Sequence, residues 1–112
     1  VKRRVWRVAL TETALRDLAQ IVDWTAEHFG VSQAVRYRAT ILAAAAALQA
    51  GPDVPGARPA REVDPDFRVL HVARGGRSGR HLLLYRAVVD HQIDILRVLH
   101  DGMDIRRHIG DP

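Results

Sequence analysis

The residues best equipped for chemistry in this sequence are cationic. Arg68, Arg74, Arg77, Arg80 and Arg86 fall between positions 68 and 86 with no Asp or Glu among them. Positions 12–50, in contrast, hold four acids and three arginines. Positive charge is therefore expected to collect where residues 68–86 fold. The planar guanidinium fork suits phosphate or carboxylate. The same run also fits a solvated hairpin whose charges discourage edge pairing. Arg68, Arg74, Arg77, Arg80 and Arg97, together with Trp24, are the candidate partner-binding residues. Trp24 lies beside Asp23 and Glu27 and is read either as a boundary residue or as an anchor for a partner helix. Gly75, Gly76 and Gly79 match neither GxxxxGK[ST] nor GxGxxG, and they read as a hairpin tip. Six histidines invite a search for metal ligands. His71, His81, His91, His100 and His108 are spread along the chain with no HxH or HxxxH, so no metal site and no cofactor is expected.

Composition narrows the classes. The sequence has 112 residues and no cysteine, which excludes disulfides, thiolate metal sites and thiol nucleophiles. A charged fraction of 27% and an apolar fraction of 47% are those of a folded chain. Residues 1–112 are expected to form a single domain. Lys and Arg outnumber Asp and Glu 17 to 13, and the net charge of +4 points to an acidic or polyanionic partner. The basic start Lys2-Arg3-Arg4 is not followed by the apolar run of a signal peptide. No window approaches a membrane span. The expected location is therefore cytoplasmic.

The elements that must position these residues follow from periodicity. Residues 4–10 read as a short strand with Val5, and then Val8 and Leu10, inward. Thr11 is placed to cap a helix over residues 12–29. The apolar stripe of that helix is Leu15, Leu18, Ile21/Val22, Thr25 and Phe29, and Gly30 ends it. Ser32 is read as the cap of a second helix, residues 32–50, with the stripe Tyr37, Ile41, Ala44/Ala45 and Leu48. Positions 51–66 carry four of the five prolines and read as a surface loop. Three strands are expected near 67–73, 81–89 and 93–100, joined by hairpins at 75–79 and Asp90-His91. Met103, Ile105 and Ile109 are expected to tuck a short tail onto the sheet. The fold class is α+β. An N-terminal strand and an antiparallel helical hairpin pack on a mostly antiparallel curved sheet, in the order β-α-α-β-β-β. Leu15, Leu18, Val22, Ile41, Leu48, Leu83, Tyr85, Ile95 and Val98 are expected to share the core. Where the first strand pairs is left open.

Several segments carry a family resemblance. Leu10-Thr-Glu-Thr-Ala14-Leu-Arg-Asp-Leu18 and Ile21-Val-Asp-Trp-Thr-Ala-Glu-His-Phe-Gly30 resemble the first helix of the ParE/RelE superfamily of bacterial toxins. Arg80-His-Leu-Leu-Leu-Tyr-Arg86 and the run Ile95 to Ile109 resemble its last strands and tail. Arg97-Val-Leu-His100, with Met103-Asp104 shortly after, resembles the ParE branch in particular. The resemblance implies the toxin half of a type II toxin–antitoxin system of the plasmid-stabilisation kind. Such a toxin is neutralised by a ParD-like antitoxin whose C-terminal segment wraps it. The ParE branch is associated with poisoning DNA gyrase, and the RelE branch with cleaving messenger RNA on the ribosome.

The two branches make different demands. Cleavage by 2′-OH attack needs a base, an acid and cations on the phosphate. The candidates are His100, His81 and Glu62, with Arg80 as a cation; Tyr85 lies in an apolar strand and reads as core. The tail tyrosine that the RelE resemblance would require is absent, since no Tyr follows position 85. The expectation is a protein inhibitor of gyrase with no catalytic residue. The ribosome-dependent endoribonuclease is the alternative.

Overall fold

A computed structural model describes residues 4–106. The tail residues Arg107, His108 and Ile109, and the basic start at Lys2 and Arg3, lie outside the described residues. The element order is β1 (Arg7–Leu10), α1 (Glu12–Phe29), α2 (Val31–Ala47), a 3₁₀ turn (Leu48–Ala50), β2 (Arg58–Pro59), β3 (Arg68–His71), β4 (His81–Val88) and β5 (Gln92–His100). The five strands form one sheet in the order β1-β5-β4-β3-β2. β1 runs parallel to β5 and the other neighbours are antiparallel. The α+β architecture and the closing meander are as the periodicity predicts. The first strand, left unplaced by the sequence, is the edge beside β5.

Local chemistry explains the element ends. The Thr11 hydroxyl accepts the Ala14 N–H at 3.2 Å and starts α1. Gly30, at φ 91°, is the whole connection between the helices: its N–H closes α1 on Ala26 O and its carbonyl opens α2 through Ala34 N–H. Ser32 is therefore not a cap; it lies inside α2, and its hydroxyl accepts from Arg36. The last turn of the second helix tightens to 3₁₀ at Leu48. The β4–β5 hairpin turns on Asp90 and His91, both at positive φ (62° and 55°), the geometry that matches strand twist. β2, two residues within the proline loop, was not anticipated and pairs with Arg68 and Val69.

The sheet is buried on both faces. Leu18, Ile41, Ala44, Leu48, Leu83, Tyr85, Ile93, Ile95 and Val98 form the core under the helices. Leu82, Leu84, Leu99, Val69, Ala60 and Ile105 form a second cluster. This explains the uninterrupted apolar run of β4, whose alternate residues serve both clusters. A bulge at Leu96, opposite the Leu84/Tyr85 step, moves the inward positions of β5 from Ile93 and Ile95 to Val98. Ile105 is buried and Met103 packs against the same cluster, so this part of the tail does fold back.

Three expected core positions differ. Leu15 is 52% exposed and Val5 is 64% exposed, while Val22 is only half-buried. α1 is rotated so that Ala14, Leu18 and Thr25 face inward. Small Ala14 fits the close approach to the sheet, and bulky Leu15 falls on the outer face. At the helix end Phe29 is also exposed. Leu18→Ala or Leu83→Ala should therefore cost about 2–5 kcal/mol in chemical denaturation. Leu15→Ala should stay within about 0.5 kcal/mol, as exposed helix positions do.

Candidate functional site

A groove of about 1040 Å³ opens between the helical hairpin and the ends of β4 and β5. It exists because β1 is short. β1 stops at Leu10, opposite Ile95, and the chain turns into α1. Beyond that point the outer edge of β5 has no neighbouring strand among the described residues. Two side chains of the helical segment satisfy it instead. The Thr11 hydroxyl donates to Leu96 O at 3.1 Å, and the Asp17 carboxylate accepts the Val98 N–H at 2.9 Å. Asp17 also accepts Nε and Nη2 of Arg97, at 2.7 and 3.1 Å. The Asp17 and Arg97 side chains are 12% and 24% exposed, so the forked pair is partly dry, and Asp17 holds the Arg97 pKa above its ordinary value.

Past this clamp, α1 presents Trp24 and Phe29 to the groove. Trp24 is 54% exposed and stacks on His28 with centroids 4.2 Å apart. α2 contributes Arg36 and Tyr37 from the other side. A chain of polar side chains closes the far end. The Arg80 N–H donates to the Tyr37 hydroxyl at 3.1 Å, and that hydroxyl lies 2.6 Å from His81 Nδ1. His81 meets His100 edge-on at 5.5 Å. His100 Nδ1 accepts the Gly102 N–H at 3.0 Å, so this ring caps the turn after β5. His71 accepts the Ala73 N–H on Nδ1 and donates from Nε2 to Asp101 at 2.8 Å. Arg80 Nε reaches the same carboxylate at 3.1 Å. Gly79 permits this packing: a Cβ there would fall 2.7 Å from Val72 Cγ2 and 2.8 Å from Tyr37.

Electrostatics follow from burial. Desolvation, aided by the neighbouring His100, pushes His81 down to about 4, so the ring is neutral at pH 7. Burial raises the Tyr37 hydroxyl above its ordinary value. The hydrogen bond from His71, followed by Arg80, holds Asp101 below the usual carboxylate range. Among the described residues, no group of three or more His, Cys, Asp or Glu side chains is placed to hold a metal ion.

The structure gathers Trp24, Arg80, His81, Arg97 and His100 in this groove. It does not gather the rest of the basic run. Arg68 turns to Asp53 at 2.9 Å and to Pro52 O at 3.2 Å. Arg74 and Arg77 line a separate, smaller cavity. Arg86 is exposed on β4 and Glu62 is exposed in the turn before β3. The single cationic surface expected from residues 68–86 is therefore divided by the β3–β4 hairpin. Tyr85 is fully buried, and its hydroxyl donates to Pro52 O at 2.7 Å, as a core residue. Sequence reasoning missed Asp17, Tyr37 and Asp101. Tyr37 had a signal, being the polar-tipped member of an otherwise aliphatic stripe; Asp17 and Asp101 had none.

Two measurements test this site. Asp17→Ala removes the fork on Arg97 and the acceptor of the Val98 N–H, and should cost about 2–3 kcal/mol in denaturant unfolding. His81 is neutral when folded and takes a proton near 6.5 when unfolded. Its contribution to stability is therefore complete above pH 6.5 and is lost as pH falls from 6.5 towards 4. His81→Gln should flatten the melting temperature over that window relative to the unsubstituted protein.

Comparison with known proteins agrees with this architecture. A family model described as the ParE toxin of the type II toxin–antitoxin system parDE matches residues 8–105. Toxin ParE1 of Mycobacterium tuberculosis is 33% identical over 103 residues, covering 92% of this chain and 97% of the relative. Toxin ParE1 of Caulobacter vibrioides is 33% identical over 101 residues, covering 90% and 95%. Among solved structures, a chain of the chromosomal ParDE toxin–antitoxin system of P. aeruginosa superposes with a TM-score of 0.72 at 26% identity, covering 88% of this chain and 98% of that one. A chain of the toxin–antitoxin complex RelBE2 of Mycobacterium tuberculosis superposes with a TM-score of 0.59 at 26% identity, covering 86% and 98%. On the extent of these matches, the chain belongs to the ParE family of toxins of type II toxin–antitoxin systems.

Proposed function

We propose that this toxin acts by binding, that DNA gyrase is its target, and that a ParD-like antitoxin silences it by laying an acidic segment in the groove. The observation that carries the antitoxin reading is the groove itself. It combines exposed aromatic rings at Trp24 and Phe29 with the guanidinium groups of Arg36 and Arg80 along its sides. An amphipathic acidic helix has both the apolar face and the carboxylates for such a surface. The solved relatives include toxin–antitoxin complexes of both the ParDE and the RelBE kind. The gyrase reading rests on membership of the ParE family.

The ribonuclease reading has one observation in its favour, the joining of Tyr37, His81, His100 and Arg80 at one end of the groove. The protonation states favour binding instead. A general base works best with a pKa near the working pH. His81 near 4 is a weak base at neutral pH, and His100 already spends Nδ1 on the Gly102 N–H.

The test is a pair of assays on the same variants: gyrase supercoiling and cleavage, and cleavage of translated messenger RNA. Arg80→Glu and Trp24→Ala should weaken antitoxin binding stepwise, by about tenfold or more each. His100→Gln should leave gyrase inhibition in place. Codon-positioned RNA cuts that disappear with His100→Gln would instead establish the nuclease.

A further inference from the structure

The second cavity, of about 240 Å³, shares no lining residue with the groove. It lies between the alanine run of α2 and the β3–β4 hairpin. Its walls include Ala43, Ala44, Ala47 and Val72, and its polar groups come from Thr40, Arg74 and Arg77. Among the described residues, no Asp or Glu lines it.

Neither guanidinium group is neutralised by a described residue lining the cavity, and that of Arg77 is held in place. Arg77 Nη1 donates to Thr40 Oγ1 at 3.2 Å, and the Thr40 hydroxyl in turn donates to Arg36 O at 3.1 Å. Thr40 is only 7% exposed, so this link is fixed by the packing of α2. Arg74 Nη1 is shut off from solvent and has no hydrogen-bond acceptor among the described residues. A buried N–H on a charged group without an acceptor is costly, and native folds leave few of them. Two cations around a cavity with no acid among its described lining residues are complementary to an anion.

The walls select among anions. Three alanine methyl groups and a valine give a tetrahedral phosphate nothing to bond, but they pack well against methylene groups. We infer that this cavity is a carboxylate site, taking an acid carried on an aliphatic stem between Arg74 and Arg77. A water's share of liquid volume is about 30 Å³, so the cavity has room for the head group and a short stem. This site goes beyond the binding reading proposed above. It requires neither the target nor the antitoxin, and its lining residues are separate from those of the groove.

The experiment titrates small acids into the isotopically labelled full chain and follows the amide signals of Gly75 and Arg77 by NMR. Butyrate should bind saturably, with a dissociation constant on the order of 1–10 mM. Acetate, lacking two methylenes, should bind about 15-fold more weakly. Arg74→Met and Arg77→Gln should each weaken butyrate at least tenfold, whereas Arg86→Gln, which removes an equal charge elsewhere, should not. If Arg74→Met does not fold, Arg77→Gln carries the test, because its side chain lies in an exposed loop. A glutamate blocked at both termini separates the two sources of such an acid. Binding as tight as butyrate assigns a partner's side chain, and its rejection alongside butyrate binding assigns a free acid. Inorganic phosphate binding more tightly than butyrate, shifts that never saturate, or equal binding by Arg77→Gln would overturn the assignment.

Discussion

The bare edge of β5 is the constraint on which the rest of the fold turns. A strand end facing no partner leaves backbone groups that must be satisfied or solvated. Here the helical hairpin satisfies them, through Thr11 on Leu96 O and Asp17 on the Val98 N–H. The Asp17 carboxylate does three things at once. It closes the edge, forks Arg97, and ties the second turn of α1 to the sheet. With α1 held there, α2 follows through the one-residue link at Gly30. The space left beyond the tie is the groove. An extra pair of residues on β1 would compete for the edge that Asp17 occupies.

The groove and the small cavity divide the arginines of this basic chain into different roles. Arg68, Arg80 and Arg97 each meet a carboxylate of the chain itself. The charge of Arg68 and Arg97 is largely matched within the fold, whereas Arg80 shares Asp101 with His71 and its side chain stays 72% exposed beside the groove. Arg74 and Arg77 have no such partner among the described residues of their cavity. Net charge read from composition therefore overstates how much of the positive surface is free to attract a partner.

Much of the architecture was legible in the sequence, for reasons visible at particular residues. Thr11 and Gly30 bracket α1 because a hydroxyl cap and a left-handed residue are local requirements. The run His81–Val88 reads as a strand because β-rich residues serve two cores. The irregular spacing Ile93, Ile95, Val98 carries the trace of the bulge at Leu96. The rotation of α1 was not legible. Ala14-Leu18 and Leu15-Leu18 are both helical spacings, and only the depth of the sheet beneath chooses the smaller residue. The groove was half legible: Trp24 and the arginines stand out by type. Asp17 stands 80 positions from Arg97, and nothing local marks two such residues as partners.

The position of β5 also governs when this protein can exist. It is the latest strand in the described chain, yet it lies inside the sheet, with β1 on one side and β4 on the other. Thr11 and Leu96, which meet across that junction, are 85 residues apart. Hairpins such as β4–β5 close in about 1–10 μs once made, but synthesis proceeds at roughly 5–20 residues per second. During translation β1 and α1 therefore wait for seconds with their binding surface incomplete. The groove is assembled only after β5 has been made. A growing chain that has not yet reached β5 therefore lacks the groove, whatever state its helices are in.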